Sequence, residues 1–185
     1  MKDSSEKPRI ATISLAGCFG CHMSLLDIDE ALLGIIELVE FDRTPINDYK
    51  HFTQKCAIGL VEGGCCNASN VEELKEFRKM CEVLISVGQC ALMGGIPSMR
   101  NSISLESCFA EAYLDGPSVY NPTKIIPQDK TLPPLLDKVY PCHEVVKIDY
   151  FMPGCPPDAE LFKTILLALL NDDTASIPKE LLHYD

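Results

Sequence analysis

The feature that most constrains this chain is the position of its cysteines, because three apolar runs typical of buried strands are each followed by cysteine-bearing turns. These runs are Ile10–Leu15, Val83–Val87 and Val145–Phe151. The cysteines that follow them are Cys18, Cys21, Cys90 and Cys155. Four converging thiolates repel one another unless a metal centre offsets their charge. The pattern therefore predicts one metal centre at one edge of a sheet.

The apolar runs predict a parallel sheet, because they are nearly continuous and helical patterns lie between several of them. The five predicted strands are Ile10–Leu15, Ile35–Phe41, Cys56–Val61, Val83–Val87 and Val145–Phe151. Alternating strands and helices favour an α/β fold with a doubly wound parallel sheet. In such a sheet, ligands bind beyond the carboxyl ends of the strands, which is where the four cysteines are predicted to lie.

Three helices are predicted from apolar spacing and capping residues. The segment 23–33 has apolar residues on one face, with Gly34 placed to end the helix. A second helix follows Ser69, which forms a capping-box pattern with Glu72. A third follows Asp158, with apolar residues recurring every four positions. The segment 117–141 contains six prolines and is predicted to be an ordered loop, either an interface or plain surface cover.

Length and composition indicate a single cytoplasmic domain spanning residues 1–185. A chain of 185 residues with 46% hydrophobic content can bury a substantial core. The ten cysteines occur in a mid-sized chain with a polar start and no apparent export signal, which favours a reducing compartment over a disulfide scaffold. The net charge of −11 disfavours nucleic acid and anionic membranes as partners. No apolar run approaches the roughly 20 residues of a membrane span.

The local chemistry of the turns supports metal binding but leaves the metal open. Cys18 and Cys21 form a C-x-x-C turn that leads into a predicted helix amino terminus, whose N–H groups stabilise thiolates. Taken alone, this turn also fits a redox dithiol, and the turns holding Cys90 and Cys155 also fit buried thiols. The spacing favours an iron–sulfur cluster over zinc, which more often uses two C-x-x-C pairs, without excluding zinc.

Four segments together resemble a known family. They are Gly17-Cys18-Phe19-Gly20-Cys21-His22-Met23-Ser24-Leu25-Leu26-Asp27, Glu62-Gly63, Gly88-Gln89-Cys90 and Pro153-Gly154-Cys155-Pro156-Pro157. In this order they resemble the small subunits of nickel–iron hydrogenases, in particular the short delta subunits of cytoplasmic, bidirectional NAD-reducing enzymes. The resemblance covers most of the chain.

The resemblance implies a flavodoxin-like domain that holds one proximal [4Fe–4S] cluster on Cys18, Cys21, Cys90 and Cys155. It implies a partner large subunit that carries the nickel–iron site and splits dihydrogen. It also implies iron–sulfur and flavin (diaphorase) subunits that reduce NAD⁺ with the electrons passed on by this chain. The chain alone is expected to be inactive. Two other functions stay open, namely a cluster subunit of a quinone oxidoreductase and a zinc-binding scaffold without redox activity.

Several further residues carry secondary predictions. Glu62 is an accessory candidate near the cluster or only a polar strand end. His22 is a candidate hydrogen-bond donor to the cluster or to the partner, although exposure at a helix start is the favoured expectation. Cys65 and Cys66 depart from the family pattern and follow the same strand as Glu62, so they are alternative ligands within reach of the cluster. The prediction is that changing either one to serine leaves the cluster content intact. The remaining cysteines, which are given no role, are Cys56, Cys81, Cys108 and Cys142. FMN is a weaker cofactor candidate, because the cysteines occupy the loop where its phosphate would bind.

Overall fold

A computed structural model describes residues 7–171, which form a five-stranded parallel sheet with helices on both faces. The strands are β1 (Arg9–Ser14), β2 (Glu40–Phe41), β3 (Cys56–Glu62), β4 (Cys65–Asn67), β5 (Cys81–Val87), β6 (Leu135–Tyr140) and β7 (Tyr150–Met152). The helices are α1 (Gly20–Leu26), α2 (Ala31–Leu38), α3 (Ala68–Met80), α4 (Gly88–Met93), α5 (Leu105–Ala110), α6 (Cys142–Val145) and α7 (Ala159–Leu170). A 3₁₀ helix spans Ile96–Ser102 and a π-helical turn spans Glu111–Asp115. None of the described helices is long and apolar enough to cross a membrane.

The strand order β2-β1-β3-β5-β7 confirms the predicted parallel α/β sheet. The register places the last residues of four strands in one row, because Ser14 pairs with Glu62, Glu62 with Val87, and Val87 with Met152. The loops that leave this row therefore meet at one sheet edge. Strands β4 and β6 form a separate antiparallel pair beside it.

The two faces of the sheet bury separate cores, because successive strand residues point to opposite sides. On one face, Ile10 and Ile85 pack with residues of α1, α2 and α7. On the other face, Ala11 and Leu84 pack with residues of α3. The assignment of all residues 1–185 to one domain stays a prediction.

The prediction for residues 23–41 was wrong in two respects. The helix predicted over 23–33 is two helices, α1 and α2, separated by a turn in which Asp29 adopts a left-handed φ of 63°. The strand predicted over Ile35–Phe41 is mostly the end of α2, and only Glu40 and Phe41 pair with β1. Gly34 lies within α2 rather than after it. A short apolar run fits a strand and a helix equally well, and packing on the sheet selected the helix.

The other helices follow the predicted pattern more closely. Asp158 caps α7 through a hydrogen bond that the Glu160 N–H donates to its carboxylate, as predicted. Helix α3 begins before Ser69, and Asn67 is the capping residue. The last predicted strand is shorter than expected, since only Tyr150–Met152 is strand and α6 occupies the start of the run.

The segment from the end of α4 to β6 contributes little to either core. The 3₁₀ helix, α5 and the π-helical turn bury no residue completely. The proline-rich segment is loop up to 134, as predicted, and its last part forms β6 in the small antiparallel pair. Arg100 connects this segment to β6 by donating hydrogen bonds to the carbonyls of Leu136 and Asp137.

Candidate metal centre

The four predicted ligands line one open pocket at the carboxyl edge of the sheet. The pocket encloses a cavity of about 60 Å³. Its cysteines are Cys18, Cys21, Cys90 and Cys155. Glu62 and Gln89 also line it. The side chains of Cys18 and Cys155 are exposed, whereas Cys21 and Cys90 are half-buried. Residues that are far apart in the chain thus meet at one site because parallel strands end in register.

Short loops present these cysteines to the pocket. Phe19 adopts a left-handed φ of 68° between Cys18 and the start of α1, so the two cysteines of the C-x-x-C turn reach the same pocket. Cys90 lies in the first turn of α4, directly after β5. Cys155 lies between β7 and α7, and the Gln89 N–H donates a 3.0 Å hydrogen bond to the Gly154 carbonyl between these two loops.

Glycines leave the space that the sulfurs occupy. A Cβ at Gly88 would lie 2.3 Å from the Cys21 Sγ, and one at Gly95 would lie 2.8 Å from the Cys90 Sγ. Both glycines also have positive φ, which side chains disfavour. The chain therefore forms a cradle around the sulfurs that no other residue type could form at these positions.

The electrostatics of the pocket oppose an uncompensated cluster of thiolates. Burial raises the pKa of the Cys21 thiol, and Glu62 and the thiols of Cys90 and Cys18 raise it further. Burial also raises the pKa of Cys90, with an added contribution from Cys155. A bound cation reverses this effect, because it favours the deprotonated sulfurs. The donor set therefore fits a metal centre that supplies positive charge.

Glu62 ends β3 in the middle of this site and is buried with His22. The His22 backbone N–H donates a 3.1 Å hydrogen bond to Glu62 Oε2, and the Ser14 hydroxyl donates to Oε1. The His22 Nδ1 lies 3.2 Å from Oε1, and its Nε2 lies 2.8 Å from the Thr12 hydroxyl. Burial alone would raise the pKa of Glu62, but the contacts with His22 and Ser14 outweigh it and lower the pKa.

The expectation that His22 is exposed was wrong, because its side chain is only 4% exposed. Its ring stacks on Phe19, with the ring centroids 4.6 Å apart. The backbone and ring of His22 thus connect the C-x-x-C turn to the buried end of β3. A histidine after a C-x-x-C motif carries no signal for this burial, since the contacts with Glu62 and Thr12 come from other strands.

The other cysteines do not line the pocket. Cys65 and Cys142 are fully buried, and their thiols contact each other. The thiol of Cys66 contacts the Asn70 side chain at 3.3 Å. Cys56 and Cys81 pair in register across β3 and β5 and bring their thiols into contact. The sequence did not signal these two thiol pairs, which depend on strand register and loop packing.

The arrangement fits a cluster better than a single ion. Within residues 7–171, no three His, Cys, Asp or Glu side chains converge closely enough to hold one metal ion. A four-iron cluster is larger, and its cysteine ligands surround it. Four thiols around one open pocket therefore favour an iron–sulfur cluster over the zinc alternative.

Comparison with known proteins identifies the family. The family model of the 20 kDa subunit of NADH ubiquinone oxidoreductase matches residues 18–169, a range that contains all four pocket cysteines. The chain belongs to this family. Its similar members include the delta subunit of the NAD-reducing hydrogenase HoxS of Cupriavidus necator, which is 46% identical over 97% of this chain and 86% of that subunit.

Other members of the family are longer. A subunit of the F420-non-reducing hydrogenase of Methanothermobacter marburgensis is 34% identical over 94% of this chain. A subunit of the F420-non-reducing hydrogenase of Methanococcus voltae is 35% identical over 96%. The chain spans 57% and 61% of the lengths of these two subunits.

Solved structures confirm the fold. A chain of an NAD⁺-reducing [NiFe]-hydrogenase in the H₂-reduced state superposes with a TM-score of 0.92 and 46% identity, covering 97% of this chain and 100% of that chain. A chain of the [NiFeSe] hydrogenase of Desulfovibrio vulgaris Hildenborough superposes with a TM-score of 0.55 over 91% of this chain and 61% of that chain. At 16% identity, the second likeness shows the fold alone. The resemblance to hydrogenase small subunits is confirmed.

Proposed function

We propose that this chain is the electron-transfer small subunit of an NAD-reducing [NiFe] hydrogenase and carries one [4Fe–4S] cluster. The observation that carries the proposal is the convergence of Cys18, Cys21, Cys90 and Cys155 on one pocket. The 46% identity to the delta subunit of a NAD-reducing hydrogenase supports the reaction. These four cysteines are the proposed ligands, one for each iron.

The bound cluster would supply one-electron redox chemistry between the hydrogen-splitting site and the NAD⁺-reducing subunits. The chain's own residues hold it and set its surroundings. Val87 and Leu60 are buried in the core beneath the site and exclude water from its inner side. Glu62 is an accessory residue, whose carboxylate fixes the C-x-x-C turn through the His22 N–H.

The hydrogen-splitting nickel–iron site is assigned to a partner large subunit. Beside Cys90, the apolar side chains of Met93, Ile96 and Met99 are exposed. Cores of permanent interfaces are rich in such side chains and poor in charge. We therefore assign this surface to the large subunit, which brings its metal site close to the exposed edge of the pocket. The diaphorase subunits are the proposed electron acceptors, and their use of NAD⁺ leads us to expect a cytoplasmic location.

FMN is not included in the proposed site. In flavodoxin-like folds the phosphate binds at the loop after the first strand, and here that loop presents Cys18 and Cys21 to the pocket. The family model is that of a subunit of a ubiquinone oxidoreductase, so the family as a whole is compatible with the quinone alternative. The hydrogenase function is favoured because the relative that is 46% identical over 97% of the chain is a subunit of an NAD-reducing hydrogenase.

The proposal is tested by electron paramagnetic resonance on the anaerobically purified native complex, before and after exposure to dihydrogen, with iron quantified in the same sample. Because the nickel–iron site and the diaphorase subunits also contain iron, we expect the native complex to hold about four more iron atoms per copy of this chain than the Cys155→Ser complex. We also expect a reduced-cluster signal that appears with dihydrogen in the native complex and is lost in Cys155→Ser. A cluster that dithionite reduces but dihydrogen does not would indicate another oxidoreductase. Bound zinc without iron would indicate the scaffold function.

The ligand assignment is tested by single substitutions in the same complex. Cys155→Ser is expected to remove most of the cluster iron, because it deletes one of the four pocket sulfurs. Cys65→Ser and Cys66→Ser are matched controls, since their thiols contact Cys142 and Asn70 outside the pocket. Loss of iron in either control would assign a ligand role to that cysteine.

A further inference from the structure

Helix α2 is apolar on nearly every side, although only one side faces the core. Its sequence ALLGIIEL contains one charged residue, Glu37. Ile35 is buried against the sheet, whereas Leu33 is 69%, Leu38 51% and Ile36 46% exposed. A helix that is hydrophobic all round is normally buried on all sides. The outer face of α2 therefore has the character of a covered surface.

An apolar groove runs beside this face. A cavity of about 210 Å³ lies between α1, α2 and the loop after β2. Leu26, Leu32, Ile36, Phe41 and Ile46 line most of it. The Thr44 hydroxyl at its border already accepts hydrogen bonds from the backbone N–H groups of Ile46 and Asn47. The groove thus offers space for a bulky apolar side chain rather than for a polar ligand.

The chain around the groove carries more acidic than basic side chains. Two lysines lie at its border, where Lys7 donates a 3.4 Å hydrogen bond to the Ile36 carbonyl and Lys50 a 2.6 Å hydrogen bond to the Asn47 carbonyl. Between Gly20 and Asp42 the chain contains six Asp or Glu residues and no Lys or Arg. Four of them are exposed and make no ion pair in the described part of the chain: Asp27, Asp29, Glu30 and Glu37. Complementarity requires a partner whose apolar contact is flanked by Lys or Arg. Two copies of this chain would bring the same acidic side chains together, which argues against a self-dimer on this face.

The groove also lies close to the metal centre. Cys21 is in the first turn of α1 and Leu26 is its last residue. The groove therefore begins about 7.5 Å along the helix axis from Cys21, because each helical residue advances about 1.5 Å. Met23 is exposed between them. The surface assigned to the large subunit, at Met93, Ile96 and Met99, follows Cys90 in a different loop. Electron tunnelling weakens steeply with distance, so an electron acceptor has to bind close to the pocket. A partner in the groove meets this requirement because the groove begins within two turns of α1 from Cys21.

We propose that the groove beside α2 is the docking site for the electron-accepting subunit. That subunit would insert an apolar side chain between Leu26, Ile36 and Ile46 and place basic residues against the acidic side chains around the groove. This inference rests on the proposed function, which requires a second partner in addition to the large subunit. One carboxyl edge of the sheet then serves both the entry and the exit of electrons.

The test uses the complete complex with the double substitution Leu33→Gln and Ile36→Gln, which keeps residues that favour helix. A second variant carries Asp27→Lys and Glu37→Lys, at the carboxyl ends of α1 and α2, where the helix dipole favours cations. Glu72→Lys is the matched charge control, because Glu72 is exposed on α3 on the opposite face of the sheet. Subunit content is measured by size-exclusion chromatography at several salt concentrations. Dihydrogen-dependent reduction of NAD⁺ and of a small viologen dye is measured on the same samples.

We expect both groove variants to lose the acceptor subunits and to reduce NAD⁺ at least about tenfold more slowly, since central interface residues often contribute more than 1.4 kcal/mol. Viologen reduction and large-subunit content should remain, as should both activities in the Glu72→Lys control. Salt should release the acceptor subunits from the native complex. Intact assembly with native NAD⁺ reduction in both groove variants would overturn the inference. Selective loss of the large subunit would overturn it by assigning the groove to that subunit. Dissociation of a dimer of this chain would overturn it by assigning the groove to a second copy. Failure of the proposed function is distinct, because dihydrogen would then reduce neither acceptor even in the native complex.

Discussion

At the scale of single residues, the candidate metal centre depends on side chains and glycines that have little freedom to change. Glu62 is the clearest case, because it is a buried carboxylate in a pocket that gathers four thiols. Its contacts with Ser14 and His22 keep it ionised. A fixed negative charge beside a redox centre opposes reduction, since reduction adds further negative charge.

Glu62→Gln is therefore expected to raise the reduction potential of the cluster while leaving its iron content unchanged. The substitution keeps the size of the side chain and removes its charge. Redox titration of the complex, followed by electron paramagnetic resonance, measures the effect. Ser14→Ala is the control, because it removes one hydrogen bond to Glu62 but keeps the carboxylate. An unchanged potential in Glu62→Gln would mean that the charge is screened from the cluster.

Gly88→Ala is expected to abolish cluster binding although it retains all four cysteines. The added Cβ would meet the Cys21 Sγ at 2.3 Å, and the φ of 76° disfavours any side chain. Gly34→Ala is the matched control, since nothing lies within 4 Å of its Cβ position inside α2. That control should retain iron and stabilise the helix by about 0.5–1 kcal/mol. Iron per chain measures the first effect, and normal iron in Gly88→Ala would refute the glycine cradle.

At the scale of elements, the loop after β2 forms one border of the groove and is held by Asp42. The Thr53 N–H donates a 3.0 Å hydrogen bond to Asp42 Oδ1, and the Thr53 hydroxyl donates to Oδ2. Arg9 lies 3.4 Å from the same carboxylate. Burial alone would raise the pKa of Asp42, but the hydrogen bonds from Thr53 outweigh it and lower the pKa.

The lowered pKa predicts how the stability of this loop depends on pH. Because the pKa of Asp42 is lower in the folded state, its ionised carboxylate stabilises the loop at pH values above the ordinary Asp pKa of about 3.9. This stabilisation is lost as the pH falls through the pKa that Asp42 has in the folded state. Asp42→Asn should therefore reduce the free energy of opening at neutral pH by about 1–3 kcal/mol. Hydrogen exchange of residues 43–52 in the intact complex measures this. The difference between native and variant should shrink under acid conditions, and a constant difference would contradict the pKa argument.

At the scale of the whole molecule, the proposed function makes this chain a connection between two partner subunits. The C-terminal row of its parallel strands gathers the ligands at one edge, and the apolar surfaces beside Cys90 and along α2 lie in separate elements. The large apolar exposure of both surfaces fits a subunit that is stable in a permanent complex.

A complex of this chain with the large subunit alone is therefore expected to reduce viologen with dihydrogen but not NAD⁺. The isolated chain with its cluster restored should be reduced by dithionite but not by dihydrogen. Absorbance assays of viologen and NADH, together with electron paramagnetic resonance, distinguish these states. NADH formation by the two-subunit complex would show that the diaphorase subunits are not required.

The sequence by itself was enough to predict the parallel sheet and the four candidate ligands. Apolar runs and capping residues such as Asp158 are local signals that predict single elements. Because parallel strands share a carboxyl edge, the positions of Cys18 and Cys155 after two such strands predict that they lie at the same edge of the sheet. The family resemblance added the expected cluster and partners. Local signals failed at residues 23–41, where one apolar pattern fitted a helix and a strand equally well.

Only the tertiary structure decided which groups contact one another. The burial of His22 depends on Glu62 and Thr12, which lie on two other segments of the sheet. The contact between Cys65 and Cys142, and the groove beside α2, likewise depend on the packing of distant elements. The physical reason is that a sequence pattern records how each residue suits its own element, whereas contacts, burial and charge follow from how the elements pack together.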